Sequence, residues 1–134
     1  MSGIATSSNS YGNLIGRILL SSLFIPAGFS KLTALSGTAG YFGSIGMPAP
    51  MVVAVLVGLL ELVGGLAVLV GYKTRIAAIL LGLFAIASAF VAHMDFANQM
   101  QLINFQKNLA IAGGFFVLAA MGAGALSLDA KLRQ

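Results

Sequence analysis

The ionisable residue that stands out in this chain is Glu61, in the stretch GLLELVGG at residues 58–65. It lies in the middle of an apolar run, residues 51–71, that is long enough to cross a membrane as a helix. At a rise of 1.5 Å per residue, this position is about 15 Å from either surface of the bilayer. A carboxylate at that depth is normally paired, protonated or turned towards a polar cavity. Glu61 is therefore the first candidate for proton transfer.

The first apolar segment carries cations that could pair with Glu61. Its polar, aromatic and small residues recur every three or four positions and so share one helix face, which we expect to face the bundle: Arg17, Ser21, Phe24, Gly28 and Lys31. If this helix starts near residue 11, Arg17 lies about 6 Å from the level of Glu61 along the membrane normal. We therefore predict an Arg17–Glu61 ion pair or hydrogen-bonded network, and these two residues are the catalytic candidates.

Three glycines surround Glu61 on its own helix. Gly58, Gly64 and Gly65 all lie within about 60° of it on a helical wheel. Small residues at membrane-helix interfaces usually mean close packing, and this interpretation has somewhat more weight than an empty pocket. Because a buried acid, Glu61, lies beside these glycines, a ligand pocket at this place remains the alternative interpretation. The glycines and Phe24 are therefore candidate ligand contacts.

Further ionisable residues fall near the opposite ends of the apolar segments: Lys31, His93, Asp95 and Lys107. Charged residues at such places are most often interface anchors, which is the interpretation we prefer for Asp95. Lys107 would join the Glu61 network if the fourth helix begins near residue 98, and would stay at the surface if it begins near residue 105. Lys31, His93 and Lys107 are kept as candidate ligand contacts.

The composition identifies an integral membrane protein. Of 134 residues, 59% are hydrophobic and 7% are charged, whereas soluble domains carry about 25% charged residues. The net charge of +4 is spread over a few positions, which gives no basis for nucleic-acid binding. The chain has no cysteine and one histidine, so we expect no iron–sulfur cluster, no haem and no metal site.

The apolar segments predict an all-α membrane protein, an antiparallel bundle of four transmembrane helices. Residues 11–128 form this single domain, and residues 1–10 and 129–134 are short tails. Both termini are expected on the cytoplasmic side because more cations collect there than on the other side. The spans are predicted at residues 11–31, 51–71, 75–93 and 105–126.

The connection at residues 33–50, TALSGTAGYFGSIGMPAP, is uncharged and rich in glycine. It is too apolar for a free aqueous linker. We expect it to fold back across the outer mouth of the bundle, with Tyr41 and Phe42 as aromatic anchors at the membrane interface.

Several segments in order resemble the DoxX family of small bacterial membrane proteins: GRILLSSLFIPAGFSKL, GSIGMPAP, LLELVGGLAVLVGYKTRIAA and FQKNLAIAGGFFVLAAMGAGALSLD. The resemblance covers residues 14–129. It implies a multi-pass protein of the inner (cytoplasmic) membrane that is described as an oxidoreductase and is associated with quinones. The family's polar positions fall on Arg17, Lys31, Glu61 and Lys107, and His93 and Asn108 match more loosely.

Three functions are weighed on this basis. The first is a quinone-interacting oxidoreductase subunit with a buried Arg/Glu site, which needs an external electron donor because the chain offers no redox centre of its own. The second is a structural or assembly subunit whose buried charges fix helix register. A small proton-coupled transporter ranks last because no internal repeat supplies alternating access. The expected partners are the lipid bilayer, a quinone, and either further copies of the chain or a redox partner protein.

Overall fold

The computed structural model describes residues 8–133. Four of its helices are long and apolar enough to cross a membrane, and among the described residues there is no strand. This confirms the predicted class, a helical membrane protein with four spans. The helices are α1 Ser8–Thr33, α2 Leu35–Ser44, α3 Pro50–Val70, α4 Thr74–Ala92, α5 Gln99–Met121 and α6 Leu128–Leu132, of which α1, α3, α4 and α5 are the spans.

The four spans form two closely packed pairs. Helix α1 packs mainly on α3 and α4 mainly on α5, α3 joins the two pairs through α4, and the seam between α1 and α5 is loose. Aromatic rings fill the centre, where Phe24 meets Phe115 edge-on at 5.3 Å between ring centroids and Phe84 at 6.4 Å. Leu81 and Val68 complete a buried cluster around these rings. The start of α1, helix α6 and the α3–α4 turn lie at one end, the inner end, and α2 lies at the other, the outer end.

Glycines set the register between α1 and α3. A Cβ atom on Gly28 would lie 2.7 Å from the carbonyl oxygen of Gly58 and would also collide with the backbone of Leu62. The two backbones therefore touch at this level, as small residues allow in membrane helices. A Cβ atom on Gly65 would lie 2.9 Å from the side chain of Ile25. In this antiparallel register, Glu61 lies roughly opposite Gly28.

The fourth span differs from its predicted limits of 105–126. Helix α5 begins at Gln99 because the side chain of Asn98 accepts hydrogen bonds from the N–H groups of the first turn, at 2.9 and 3.3 Å. It ends at Met121 because Gly122 and Gly124 both adopt positive φ, 79° and 74°. The amphipathic stretch before residue 105 concealed this start. The early start does not bring Lys107 into the core, since its side chain is exposed.

The connection at residues 33–50 lies over the outer end as expected. It contains helix α2, which packs against α3. Tyr41 is 50% exposed and Phe42 is half-buried, and their rings lie 5.7 Å apart. This segment is therefore an apolar cover over the outer end of the bundle.

At the inner end, the chain after α5 folds back onto the α3–α4 turn. The carboxylate of Asp129 accepts hydrogen bonds from the N–H groups of Lys73 and Thr74, at 2.7 and 2.9 Å. Its own N–H donates to the carbonyl of Gly71 at 2.8 Å. Asp129 therefore caps the start of α4 from a distant part of the sequence.

Replacing Asp129 by asparagine is expected to weaken this cap. Partial burial opposes ionisation of Asp129, but the N–H groups of Thr74 and Lys73 and the charge of Arg133 outweigh it and lower the pKa of its carboxyl group. Because the folded pKa is lowered, the cap contributes its full stability above the ordinary aspartate pKa of about 4 and loses it as the pH falls through the folded value.

The measurement is thermal unfolding in detergent between about pH 3 and pH 7. Asp129→Asn should lose about 1 kcal/mol at neutral pH, because the amide nitrogen cannot accept one of the two N–H hydrogen bonds, and the difference from the wild type should shrink towards the acid end. Asp95→Asn, which alters the exposed aspartate of the α4–α5 connection, should follow the wild-type curve. Equal losses for Asp129→Asn at both ends of the pH range would contradict the charged cap.

Candidate functional site

Glu61 pairs with Lys31, not with Arg17. Lys31 Nζ lies 2.7 Å from Glu61 Oε1, and the side chains are 28% and 7% exposed. The predicted Arg17–Glu61 pair is therefore wrong. The register explains the error, because Arg17 is eleven residues from Gly28 and so about 16 Å along α1 from the level of Glu61. An arginine side chain cannot span that distance, whereas Lys31 is within one turn of it.

Arg17 instead holds the inner end of the bundle together. Its side chain is 1% exposed, and it donates to Asn13 Oδ1 at 2.8 Å and to the carbonyls of Val68 and Leu69 at 3.3 and 2.9 Å. A further hydrogen bond goes to the carbonyl of Leu126. The guanidinium thus meets backbone carbonyls of the last turn of α3, where a positive charge is favourable.

A cavity of about 440 Å³ opens beside the Lys31–Glu61 pair. This is within the size range of small-molecule sites, about 300–1,000 Å³. Its walls come from all four spans, and the connection at residues 33–50 lines it on the outer side. Most of the lining is apolar, with a few polar groups. The aromatic members are Phe24, Tyr41, Phe42 and Phe84, and the polar members besides the ion pair are Ser88, His93 and Asn108.

His93 reaches the same cavity from the end of α4. Its Nδ1 lies 2.9 Å from Gln101 Oε1. Since an amide oxygen only accepts, Nδ1 is the donor in this hydrogen bond, and in the corresponding neutral tautomer Nε2 is the acceptor nitrogen. His93 therefore brings a proton acceptor to the outer part of the cavity.

Glu61 keeps the capacity to accept a further hydrogen bond. Its Oε1 atom is buried and, among the described residues, makes no aligned hydrogen bond despite the short ion-pair distance to Lys31. A carboxylate oxygen has two lone-pair sites, so a hydroxyl group or a water molecule in the cavity could donate to it. Residues 8–133 hold no group of three or more histidine, aspartate or glutamate side chains placed to bind a metal ion.

The predicted site residues divide into two sets. Four of them line one cavity: Lys31, Glu61, Phe24 and His93. The others lie elsewhere. Arg17 lines a separate groove at the inner end, and Lys107 is exposed on α5. The three glycines make packing contacts: Gly58 and Gly65 meet α1, and Gly64 meets Leu81 of α4.

Sequence reasoning missed several cavity residues. Tyr41 and Phe42 were expected only as interface anchors, and Ser88 gave no signal within the apolar run of α4. Asn108 was noted only as a loose match to the family. One residue from the exposed Lys107, it turns to the cavity, because successive helix positions are 100° apart.

Comparison with known proteins supports the assignment to a family. The DoxX family model matches residues 12–94. The chain is 43% identical to the Escherichia coli inner membrane protein YqjF, over 92% of this chain and 93% of that protein. It is 36% identical to the Escherichia coli inner membrane protein YphA, over 88% of each chain.

A more distant relative carries a functional name. The chain is 32% identical to the Bacillus subtilis protein named "Putative oxidoreductase CatD", over 79% of this chain and 82% of that protein. No solved structure matches the chain. The family match, the two inner-membrane relatives and the four spans lead to one conclusion: the chain is a multi-pass inner-membrane protein of the DoxX family.

Proposed function

We propose that this protein is an oxidoreductase subunit that binds a quinone in the cavity beside Lys31 and Glu61. The observation that carries the proposal is an ion pair between half-buried Lys31 and buried Glu61 that lines a mainly apolar cavity of about 440 Å³. Such a cavity suits a flat aromatic-type ring with a polar oxygen at each side. The name of the Bacillus subtilis relative agrees with a redox role.

The cavity residues fit the proton chemistry of a quinone. Reduction to the quinol adds two electrons and two protons, one proton at each carbonyl oxygen. Glu61 would give or take one proton, and the ammonium of Lys31 would donate a hydrogen bond to an oxygen that gains negative charge. His93, which lines the outer part of the cavity, would exchange the second proton through Nε2. Phe24 and Phe84, which contact each other, would form one apolar wall beside the ring.

The electrons must come from outside the chain. With no cysteine, no second histidine and no nucleotide-binding loop, the chain cannot supply them. The donor is therefore a reductant or a partner redox protein, and the contribution of this subunit is to bind the ring, exclude water and handle protons. The cover formed by residues 33–50 serves the exclusion of water.

Quinone analysis of the purified protein tests this proposal. Protein extracted from bacterial membranes in mild detergent should retain about one quinone per chain, and Glu61→Gln and Lys31→Gln should lose most of it. Arg75→Gln is the matched control, since it removes an exposed cation at the inner end. A wild-type protein without quinone, or equal quinone in folded Glu61→Gln and Lys31→Gln, would contradict the proposal.

A structural or assembly role is the second candidate. The observation that favours it is Arg17, a buried charge that bonds backbone carbonyls of α3 and does not contact Glu61. At least one buried charge in this bundle therefore has a packing role. If the Lys31–Glu61 pair does the same, its variants would change stability and leave ligand content unchanged. The quinone analysis therefore separates the two functions.

A further inference from the structure

We propose that the natural ligand carries a long apolar chain, which lies in a groove between α1 and α5 while its ring occupies the Lys31–Glu61 cavity. This inference rests on the proposed function and names the class of quinone: a lipid-soluble one with a prenyl or alkyl tail. The groove between α1 and α5 lies outside the proposed ring site.

The groove lies next to the ring cavity. It has a volume of about 720 Å³ and runs along the loose seam between α1 and α5. Leu23 lines both the groove and the ring cavity. From Leu23 to Gly12 the groove follows α1 for about 16 Å. A ligand with its ring beside Lys31 and Glu61 could therefore pass its chain by Leu23 into the groove.

The groove suits an apolar chain and not a polar head group. Its lining is apolar along most of its length, and two of its polar members at the inner end, Arg17 and Asn13, already have protein partners. The hydrogen bonds of Arg17 go to Asn13 and to backbone carbonyls, and Asn13 donates to the carbonyl of Gly122 at 2.7 Å. In a membrane, a buried chain needs shape and no polar contacts.

The groove is also open to the lipid, so a ligand could enter sideways. Its rim consists of apolar side chains that are half exposed or more: Leu19 65%, Leu23 51%, Val117 64% and Met121 71%. Glycines hollow out its wall, since a Cβ atom on Gly16 would meet nothing within 4 Å and one on Gly114 only Leu20, at 3.6 Å. A side chain at Gly114 would therefore fill the groove without a backbone clash.

The test compares one ring with and without a chain. Tyrosine fluorescence reports binding, because Tyr41 lines the ring cavity and quinones quench it. Exposed Tyr11 and Tyr72 are changed to phenylalanine in all proteins. A methyl-substituted benzoquinone and the same ring with a decyl chain are titrated into the detergent-solubilised parent, Gly114→Leu and Gly113→Leu. The last is the matched control, because Gly113 is exposed and lies outside the groove lining.

Gly114→Leu should weaken binding of the decyl compound at least about fivefold, the lower end of the cost of overfilling a packed site. Binding of the ring without a chain should stay within about twofold, and Gly113→Leu should bind both compounds as the parent does. Each variant is compared with the parent for the same compound, so partition into the micelle cancels.

Other results would overturn the inference in distinguishable ways. If Gly114→Leu affects neither compound, or both equally, the chain does not lie in the groove, although the ring site stands. A change in oligomeric state of ligand-free Gly114→Leu would show that a second copy of the chain fills the groove. If the parent binds neither compound, the proposed function itself fails.

Discussion

Replacing Arg17 by methionine is expected to cost this protein about 3 kcal/mol or more of its free energy of unfolding. Methionine keeps the apolar stem but removes every hydrogen bond that the guanidinium makes to the carbonyls of Val68, Leu69 and Leu126. These carbonyls lie at the end of α3 and in the segment after α5. The carbonyl of Val68 keeps the N–H of Gly71 as a partner, whereas those of Leu69 and Leu126 lose the guanidinium, and a half-buried carbonyl without a partner costs free energy. The variant should therefore lose the hydrogen bonds that connect α1 to α3 and to the segment after α5.

The measurement is the midpoint of thermal unfolding in detergent, followed by the loss of the monodisperse protein peak. Arg75→Met is the matched control, because Arg75 is an exposed arginine at the same end, and its effect should stay within about 0.5 kcal/mol. Arg17→Lys should fall between, since one ammonium cannot replace a planar fork of donors. If Arg17→Met unfolds at the temperature of Arg75→Met, the structural role of Arg17 is refuted.

Removing the cation of the Lys31–Glu61 pair is expected to cost more than removing the anion. Lys31→Met leaves the buried carboxylate of Glu61 without its partner, a loss of about 3 kcal/mol. Glu61→Gln leaves Lys31, which is 28% exposed and near the end of α1, free to turn its ammonium to the outer interface. This variant should lose only about 1 kcal/mol.

The double variant Lys31→Met/Glu61→Gln provides the internal control. With neither charge left, it should be more stable than Lys31→Met alone by about 1 kcal/mol, as expected for residues in direct contact. Thermal unfolding of all four proteins in one detergent gives the comparison. Additive losses, or a larger loss for Glu61→Gln than for Lys31→Met, would contradict a direct pair with the exposure seen here.

The spans were predictable because hydropathy depends on composition alone. The apolar runs of α3 and α4 stand out for that reason. The limits of α5 were not predicted, because they are set by the cap at Asn98 and by the glycines at 122 and 124. A cap is a local geometry that a window of average hydropathy does not resolve. The sequence predicted that residues 33–50 cover the outer end of the bundle, but it did not predict helix α2 within them.

The partner of Glu61 was not predictable from helix depth. Arg17 and Lys31 lie on the same face of α1, so periodicity gives both equal access to α3. The choice between them depends on the register of two antiparallel helices, which is set by the contact of Gly28 with Gly58. That contact forms only when the two helices pack, so the sequence of neither helix alone predicts it. About four turns of helix separate the predicted partner, Arg17, from the observed one, Lys31.

The two cations of α1, Arg17 and Lys31, therefore have different roles. Arg17 has its donors occupied by backbone carbonyls and Asn13 at the inner end, whereas Lys31 meets a carboxylate that borders a cavity. Only the second arrangement leaves a polar group able to respond to a ligand. For this reason the proposed chemistry moves from an Arg17–Glu61 site to a Lys31–Glu61 site, with His93 on the outer side.

The most direct test of the Lys31–Glu61 site is the affinity of the folded double variant Lys31→Met/Glu61→Gln for the benzoquinone ring without a chain. The tyrosine-quenching titration that uses Tyr41 gives this affinity, and the unfolding midpoint shows that the variant is folded. We expect its dissociation constant to rise at least about tenfold over the parent, the loss of one hydrogen bond to a charged group. A folded double variant that binds the ring as tightly as the parent would contradict the assignment of this pair as the ligand site.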